Sequence, residues 1–162
     1  MRITEVDNPE NKILVGKTTR NKIISPDIMP PLPNKNATWI IDGVPNSGKS
    51  CLINSFLKRQ YKKCFHAVFL VCPETSRSCF GKNSALTKAD PKKTYNELTP
   101  ETIDKIYEQV VETRDEGDAE GEQYYSLLIS DDVQASLKDK YVEKQLRAML
   151  PNYRHLNLSV WV

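Results

Sequence analysis

Short apolar runs alternate with amphipathic segments along most of this chain. Four of the runs have the length and residue content of strands that are covered on both faces. They are Ala37–Ile41, His66–Val71, Tyr124–Ser130 and Leu156–Val162. Because strands that alternate with helices build parallel sheets, the pattern predicts an α/β fold in which helices flank a parallel sheet on both faces.

Three segments between or beside these runs have the pattern of helices. They are Ser50–Tyr61, a segment that begins at Thr99–Pro100, and Tyr141–Met149, which Pro151 ends. The second begins with a Thr cap followed by Pro and an acidic residue, and its apolar residues fall on one face. Those residues are Ile103, Ile106, Tyr107, Val110 and Val111. The acidic, glycine-containing stretch Arg114–Gln123 predicts a surface loop.

The first 36 residues differ in composition from the rest of the chain. They are polar and punctuated by prolines, among them Pro26 and those of Pro30–Pro33. We therefore predict an extended, Pro-containing arm over residues 1–36, with Lys12–Val15 as a candidate edge strand, and a core over residues 37–162. Whether the arm is mobile or packs on a neighbouring subunit stays open. Because the chain ends on a strand, we expect the sequence to be truncated at its carboxyl end.

Composition narrows the class of protein only in part. A length of 162 residues with 39% hydrophobic content suits one domain with a real core. No apolar run approaches the roughly 20 residues of a membrane span, and Met1–Asp7 lacks the apolar stretch of a signal peptide. We therefore expect an intracellular protein with no membrane partner. The net charge of +2 neither demands nor excludes a nucleic-acid partner. The four cysteines contain no C-x-x-C pair and are expected to be reduced thiols rather than zinc ligands.

The loop between the first strand and the first helix carries the most specific motif. Gly43-Val44-Pro45-Asn46-Ser47-Gly48-Lys49-Ser50 fills every specified position of G-x-x-x-x-G-K-[ST], the P-loop. In such a loop, backbone N–H groups and the positive end of the following helix bind phosphates. Lys49 adds a cation, and the Ser50 hydroxyl is a ligand for Mg²⁺. We predict an ATP site formed by these eight residues and by Cys51, the next residue along the chain.

A second motif supplies the acids that such a site needs. The apolar run Leu127–Ile129 leads through Ser130 to Asp131 and Asp132. P-loop enzymes hold Mg²⁺ with an acid at the end of a neighbouring strand, and a second acid can orient and deprotonate the attacking water. We assign Asp131 to the metal and Asp132 to the water.

Other nucleotide-binding classes fit less well or stay open. Thr87-Lys88-Ala89-Asp90 has the letters of a GTPase base-reading motif, but it precedes Asp131 and comes after no apolar strand, so we interpret it as a surface loop. A phosphotransferase that acts on a nucleoside or small metabolite remains an alternative, because several basic residues lie between Cys72 and Pro100. A non-catalytic module, in which ATP organises an assembly, also remains.

Taken with the two motifs, the segment before the last strand resembles a particular family. The acids belong to Asp131-Asp132-Val133-Gln134, and the last strand is preceded by an Arg-His pair in the sequence NYRHLNLSVWV, residues 152–162. This combination resembles the genome-packaging ATPases of large DNA viruses, virophages and related transposons, the poxvirus-type branch of the FtsK–HerA superfamily. The resemblance covers residues 37–162.

The resemblance implies a P-loop NTPase fold of the ASCE, RecA-like type and a ring-forming motor that drives double-stranded DNA into a capsid. Its partners would be double-stranded DNA, further copies of itself and capsid or other virion proteins, in the host cytoplasm or the virion. It also implies an arginine finger from the adjacent subunit, for which Arg147 and Arg154 are the candidates, each equally suited to a surface salt bridge. A polar sensor would come after the strand Leu156–Val162, beyond this sequence. A helicase or a DNA-segregation pump of the same superfamily is the nearest alternative.

Overall fold

The computed structural model describes residues 28, 32, 35–44, 47–77, 80–82, 84–133, 136–152 and 154–162. The strands in these ranges are β1 (Thr38–Trp39), β2 (Ala67–Val71), β3 (Thr94–Tyr95), β4 (Ser126–Ser130) and β5 (Leu158–Trp161). The α-helices are α1 (Lys49–Lys58), α2 (Glu74–Arg77), α3 (Pro100–Glu120) and α4 (Lys140–Met149), and single 3₁₀ turns cover Pro91–Lys93 and Ser136–Lys138.

The strands form one parallel sheet in the order β1-β5-β4-β2-β3. The predicted parallel sheet is therefore confirmed, and the four predicted strands are all present in somewhat shorter form. Strand β3 was not predicted, because it has only two residues and lies in a polar stretch. Since all the strands run in the same direction, their carboxyl ends lie along one edge of the sheet.

Helices cover both faces of the sheet, as predicted. On one face, Ile53 of α1 packs in a core with Leu70, Leu127, Ile129 and Trp161. On the other face, α3 and α4 cover alternate residues of the same strands. That second core contains Phe69, Leu128, Leu158 and Val160 from the strands, Ile103, Ile106 and Val110 from α3, and Val142 and Met149 from α4.

Helix α3 begins where the sequence predicts and ends later. The Thr99 hydroxyl accepts a hydrogen bond from the N–H of Thr102 at 3.2 Å, so the predicted cap is confirmed. The predicted loop Arg114–Gln123 is wrong over most of its length, because the helix continues to Glu120 and ends at Gly121 with φ of 74°. The buried side of the helix continues through Thr113 and Gly117, while the acidic residues lie on its exposed side.

Two residues of the predicted arm belong to the core. Ile28 is buried in the core on the α1 face, and Leu32 packs against that core. The candidate strand Lys12–Val15 and most of the prolines lie outside the described residues, so the boundary between arm and core stays a prediction. Among the helices that the structure describes, none combines the length and apolar character of a membrane crossing.

Candidate functional site

Both predicted motifs lie at the carboxyl edge of the sheet. The loop Gly43–Ser50 connects β1 to α1, and Asp131 directly follows β4. Strand β5 lies between β1 and β4, so one strand separates the loop from the carboxylates. The topology thereby gathers residues that are far apart in the sequence into one region.

The backbone of the loop requires glycine at position 48, whereas a side chain at position 43 would displace only the Ser47 hydroxyl. The N–H of Ser47 donates to the carbonyl oxygen of Val44 at 3.1 Å. A Cβ atom on Gly43 would lie 2.6 Å from the Ser47 hydroxyl oxygen, and Gly48 has φ of 91°, a left-handed conformation that side chains disfavour. Pro45 and Asn46 of the predicted site lie outside the described residues.

The Lys49 side chain folds back over the loop. Its Nζ donates to the carbonyl oxygen of Gly43 at 2.8 Å and approaches that of Val44 at 3.4 Å. An ammonium group held by neutral carbonyls can exchange them for the oxygens of an anion, since hydrogen bonds to a charged acceptor are stronger. The Lys49 ammonium group therefore lies beside the backbone of Gly43 and Val44, at what we call the mouth of the loop.

The first turn of α1 is open at its amino terminus. Gly48 is the cap residue, and within the described part of the chain no side chain caps the helix. The first N–H groups of a helix have no acceptor inside it and carry partial positive charge, which suits an anion. Cys51 lies in this turn with its side chain exposed, as a predicted binding residue would require.

Ser50 and Asp131 bring the two motifs into direct contact. The Ser50 hydroxyl donates to Asp131 Oδ2 at 2.9 Å across 81 positions of sequence. The backbone N–H of Asp131 donates to the carbonyl oxygen of Val71 at 2.9 Å, which holds the backbone of Asp131 at the end of β2. Hydroxyl and carboxylate oxygens are the hard ligands that Mg²⁺ prefers, and Mg²⁺ at phosphate sites uses few protein ligands, so the pair fits this ion. Among the described residues, no group of three or more His, Cys, Asp or Glu side chains is arranged so that it could hold a metal ion.

Asp132 differs from Asp131 in backbone conformation and exposure. It has φ of 57° and is exposed, and its Oδ2 accepts a hydrogen bond from the Ser76 hydroxyl at 2.8 Å. A cleft of about 490 Å³ borders it, formed by residues that come after β2, β3 and β4. Sequence analysis missed Ser76, which lies on the four-residue helix α2 in a polar stretch. The only available signal was that residues at the ends of neighbouring parallel strands share an edge.

The two candidate arginines lie in a different part of the fold from the loop and the two aspartates. Arg147 forms an ion pair with Glu143 at 2.6 Å on the surface of α4, with 76% of its side chain exposed. Arg154 is also exposed and lies four positions before β5. Both residues therefore precede β5 and lie toward the amino-terminal edge of the sheet, opposite the loop. Because that edge is opposite the one that carries the loop, a finger role for either arginine would need a second copy of the chain.

The alternative GTPase motif is a surface turn, as interpreted from the sequence. In the described part of the chain, no strand leads directly into Thr87–Asp90, which follows helix α2 and a turn, and Thr87, Lys88 and Asp90 are exposed. A comparison with protein-family models gives no match, and a comparison with curated proteins gives no significant one.

Proposed function

We propose that this protein is a P-loop ATPase of the RecA-like type, and that it translocates double-stranded DNA as a genome-packaging motor. The observation that carries the ATPase proposal is the hydrogen bond between Ser50 and Asp131, because it joins the two predicted motifs, which are far apart in the sequence. The all-parallel sheet with helices on both faces is compatible with a RecA-like fold.

The residues of the loop supply the binding of the phosphates. The N–H groups at the start of α1 and the Lys49 ammonium group both direct positive charge toward the mouth of the loop. Lys49 exchanges the carbonyl oxygens of Gly43 and Val44 for phosphate oxygens when the nucleotide enters. Gly48, whose φ of 91° disfavours a side chain, supplies the left-handed residue that leads from the loop into α1.

Ser50 and Asp131 would hold Mg²⁺, which when bound neutralises charge on the phosphate oxygens. Asp132 is the proton acceptor. Its Oδ2 already accepts from Ser76, and its Oδ1 accepts no hydrogen bond from the described residues, so Oδ1 is the atom that takes the proton of the attacking water.

Translocation of DNA is the part of the proposal that rests on the family resemblance of residues 152–162. In a ring, Arg154 or Arg147 would act on the site of the neighbouring copy. An arginine supplied in this way couples the closing of an interface to the chemistry. The finger would stabilise negative charge in the transition state of hydrolysis.

Release of phosphate from Mg·ATP, measured with and without double-stranded DNA, tests the proposal. Lys49→Ala is the blank, and Lys58→Ala is its matched control, because Lys58 is an exposed lysine in the last turn of the same helix. We expect turnover that DNA stimulates in the wild type and in Lys58→Ala, and none in Lys49→Ala.

Each other result points to a different conclusion. Turnover that ignores DNA but needs a nucleoside or metabolite acceptor would replace the motor with a phosphotransferase. Binding of ATP without turnover, with or without DNA, would favour an assembly module that nucleotide organises. Equal turnover in Lys49→Ala and the wild type would contradict the ATP site itself.

A further inference from the structure

Asp132 is held by a contact that the proposed reaction does not require. The Ser76 hydroxyl donates to its Oδ2 at 2.8 Å across 56 positions of sequence. Asp132 also has φ of 57°, a conformation that only a few non-glycine residues adopt, and Asp is one of the types that tolerates it. An exposed carboxylate in an unusual backbone conformation would otherwise rotate freely, so the contact to Ser76 fixes its orientation.

The position of Ser76 is set by the short segment Pro73–Arg77, which follows β2 and which we call the tether. The N–H groups of Ser76 and Arg77 both donate to the carbonyl oxygen of Pro73 at 3.0 Å, and they fold the chain into α2. The Arg77 guanidinium then donates to the side-chain oxygen of Asn96, which directly follows β3. Helix α2 is therefore attached to the ends of two strands, and Ser76 is directed from it toward the end of a third.

The same tether forms one wall of the cleft beside Asp132. The cleft, of about 490 Å³, is lined by Pro73, Glu74 and Thr75 on that wall and by Asn96, Glu97, Val133 and Ser136 elsewhere. The Asp132 carboxylate therefore borders the cleft on one side, and the tether that carries Ser76 borders it on another. A displacement of α2 would change the hydrogen bond to Asp132 directly.

We propose that Ser76 is a positioning residue, which orients the Asp132 carboxylate so that Oδ1 faces the attacking water. The role rests on the proposed function, since it assumes that Asp132 accepts that proton. In this role Ser76 acts through Asp132, to which its hydroxyl donates, rather than on the nucleotide itself. A hydrogen bond from a hydroxyl to one carboxylate oxygen leaves the other oxygen available and limits rotation of the group.

The kinetic test compares Ser76→Ala with Ser76→Thr. Alanine removes the hydroxyl and threonine keeps it, so Ser76→Ala should lower kcat by at least about 10-fold with KM for ATP unchanged, and Ser76→Thr should restore most of the loss. Equal kcat in wild type and Ser76→Ala would overturn the proposal. So would a higher kcat in Ser76→Ala, because the hydrogen bond would then restrain Asp132 rather than position it.

A double-mutant cycle supplies a measurement that does not depend on activity. Urea unfolding is measured for Ser76→Ala, Asp132→Ala and the double variant, without nucleotide. If the two side chains are coupled, the urea concentration at the unfolding midpoint falls less in the double variant than the sum of its falls in the two single variants. The effect of alanine on the backbone at position 132 is present in both variants that carry it and therefore cancels from the cycle. Additive losses would overturn the positioning role. If the wild type shows no turnover, the proposed function fails, while the cycle still decides whether Ser76 holds Asp132.

Discussion

The indole rings of Trp39 and Trp161 stack with their centroids 5.1 Å apart and an angle of 15° between their planes. The two residues are also partners in the register of β1 and β5. Trp39 further makes an edge-on contact, at 5.1 Å, with Phe56 of α1. Because β1 enters the loop Gly43–Ser50 and α1 leaves it, this aromatic cluster fixes the two ends of the candidate nucleotide site relative to each other.

Replacement of Trp39 should therefore affect both stability and binding. We expect Trp39→Ala to lower the free energy of unfolding by about 3 kcal/mol and to weaken nucleotide affinity, whereas Trp39→Phe keeps an aromatic contact and should lose less of each. Urea unfolding and calorimetric titration with ATP measure the two effects. If Trp39→Ala binds ATP as tightly as the wild type at a temperature where it is folded, the cluster does not position the loop.

The Ser50–Asp131 pair gives a prediction about the metal. Ser50→Ala and Asp131→Asn should each abolish the gain in ATP affinity that Mg²⁺ produces, and the double variant should be little worse than either single one. In excess chelator, all three variants should bind ATP as the wild type does. Ser55→Ala, a serine change further along α1, is the control and should keep the full response to Mg²⁺. An unchanged Mg²⁺ dependence in Asp131→Asn would remove this residue from the metal site.

Asp132→Asn separates binding from hydrolysis. Asparagine tolerates the positive φ at this position, so the backbone is retained, but its amide cannot accept the proton of water. We expect unchanged ATP affinity and a fall in kcat of roughly 100-fold or more, which is within the range of general-base catalysis. Calorimetry and phosphate release give the two numbers. Turnover at the wild-type rate would show that another group takes the proton.

The elements that could be predicted from the sequence are those whose signal is local. Strand β2 and strand β4 are continuous apolar runs because both of their faces are covered, and the cap of α3 is specified by Thr99 and Pro100. The contact between Ser50 and Asp131 was implied by two motifs of known chemistry. In contrast, β3 has no pattern of its own, since a two-residue strand is set by its pairing with β2.

The contact between Ser76 and Asp132 could not be predicted for a related reason. It depends on the direction in which a four-residue helix leaves β2, and that direction is set by contacts with Pro73 and Asn96. The end of α3 was mispredicted because glycine and acidic residues usually mark loops. In this helix, packing of the buried side overrides the preference of glycine and acidic residues for loops. Gly117 allows the helix backbone to lie close to the backbone of Glu122 and Tyr124.

Gly117 and Gly121 should respond to alanine for different reasons. A Cβ atom at position 117 would lie 2.8 Å from the backbone nitrogen of Tyr124 and 2.9 Å from the carbonyl oxygen of Glu122, so Gly117→Ala should destabilise the protein although alanine favours helices. At position 121 there is open space, but φ is 74°, so Gly121→Ala should cost about 1 kcal/mol. Gly121→Asn should cost less than Gly121→Ala. A gain in unfolding free energy in Gly117→Ala would contradict the close packing of the helix end.

Because of Tyr61, the free energy of unfolding should fall as the pH rises through the alkaline range. Burial raises the pKa of its hydroxyl from the usual 10.0 to about 12, and the nearby Cys64 thiol acts in the same direction. Between about pH 10 and about pH 12, the unfolded chain releases this proton while the folded chain retains it, so the stabilising contribution is complete below pH 10 and is lost as the pH rises. Tyr61→Phe removes the titrating group. We therefore expect its free energy of unfolding, measured by urea denaturation across this range, to fall less steeply with pH than that of the wild type. Parallel pH profiles for the two proteins would show that Tyr61 titrates in the same way folded and unfolded.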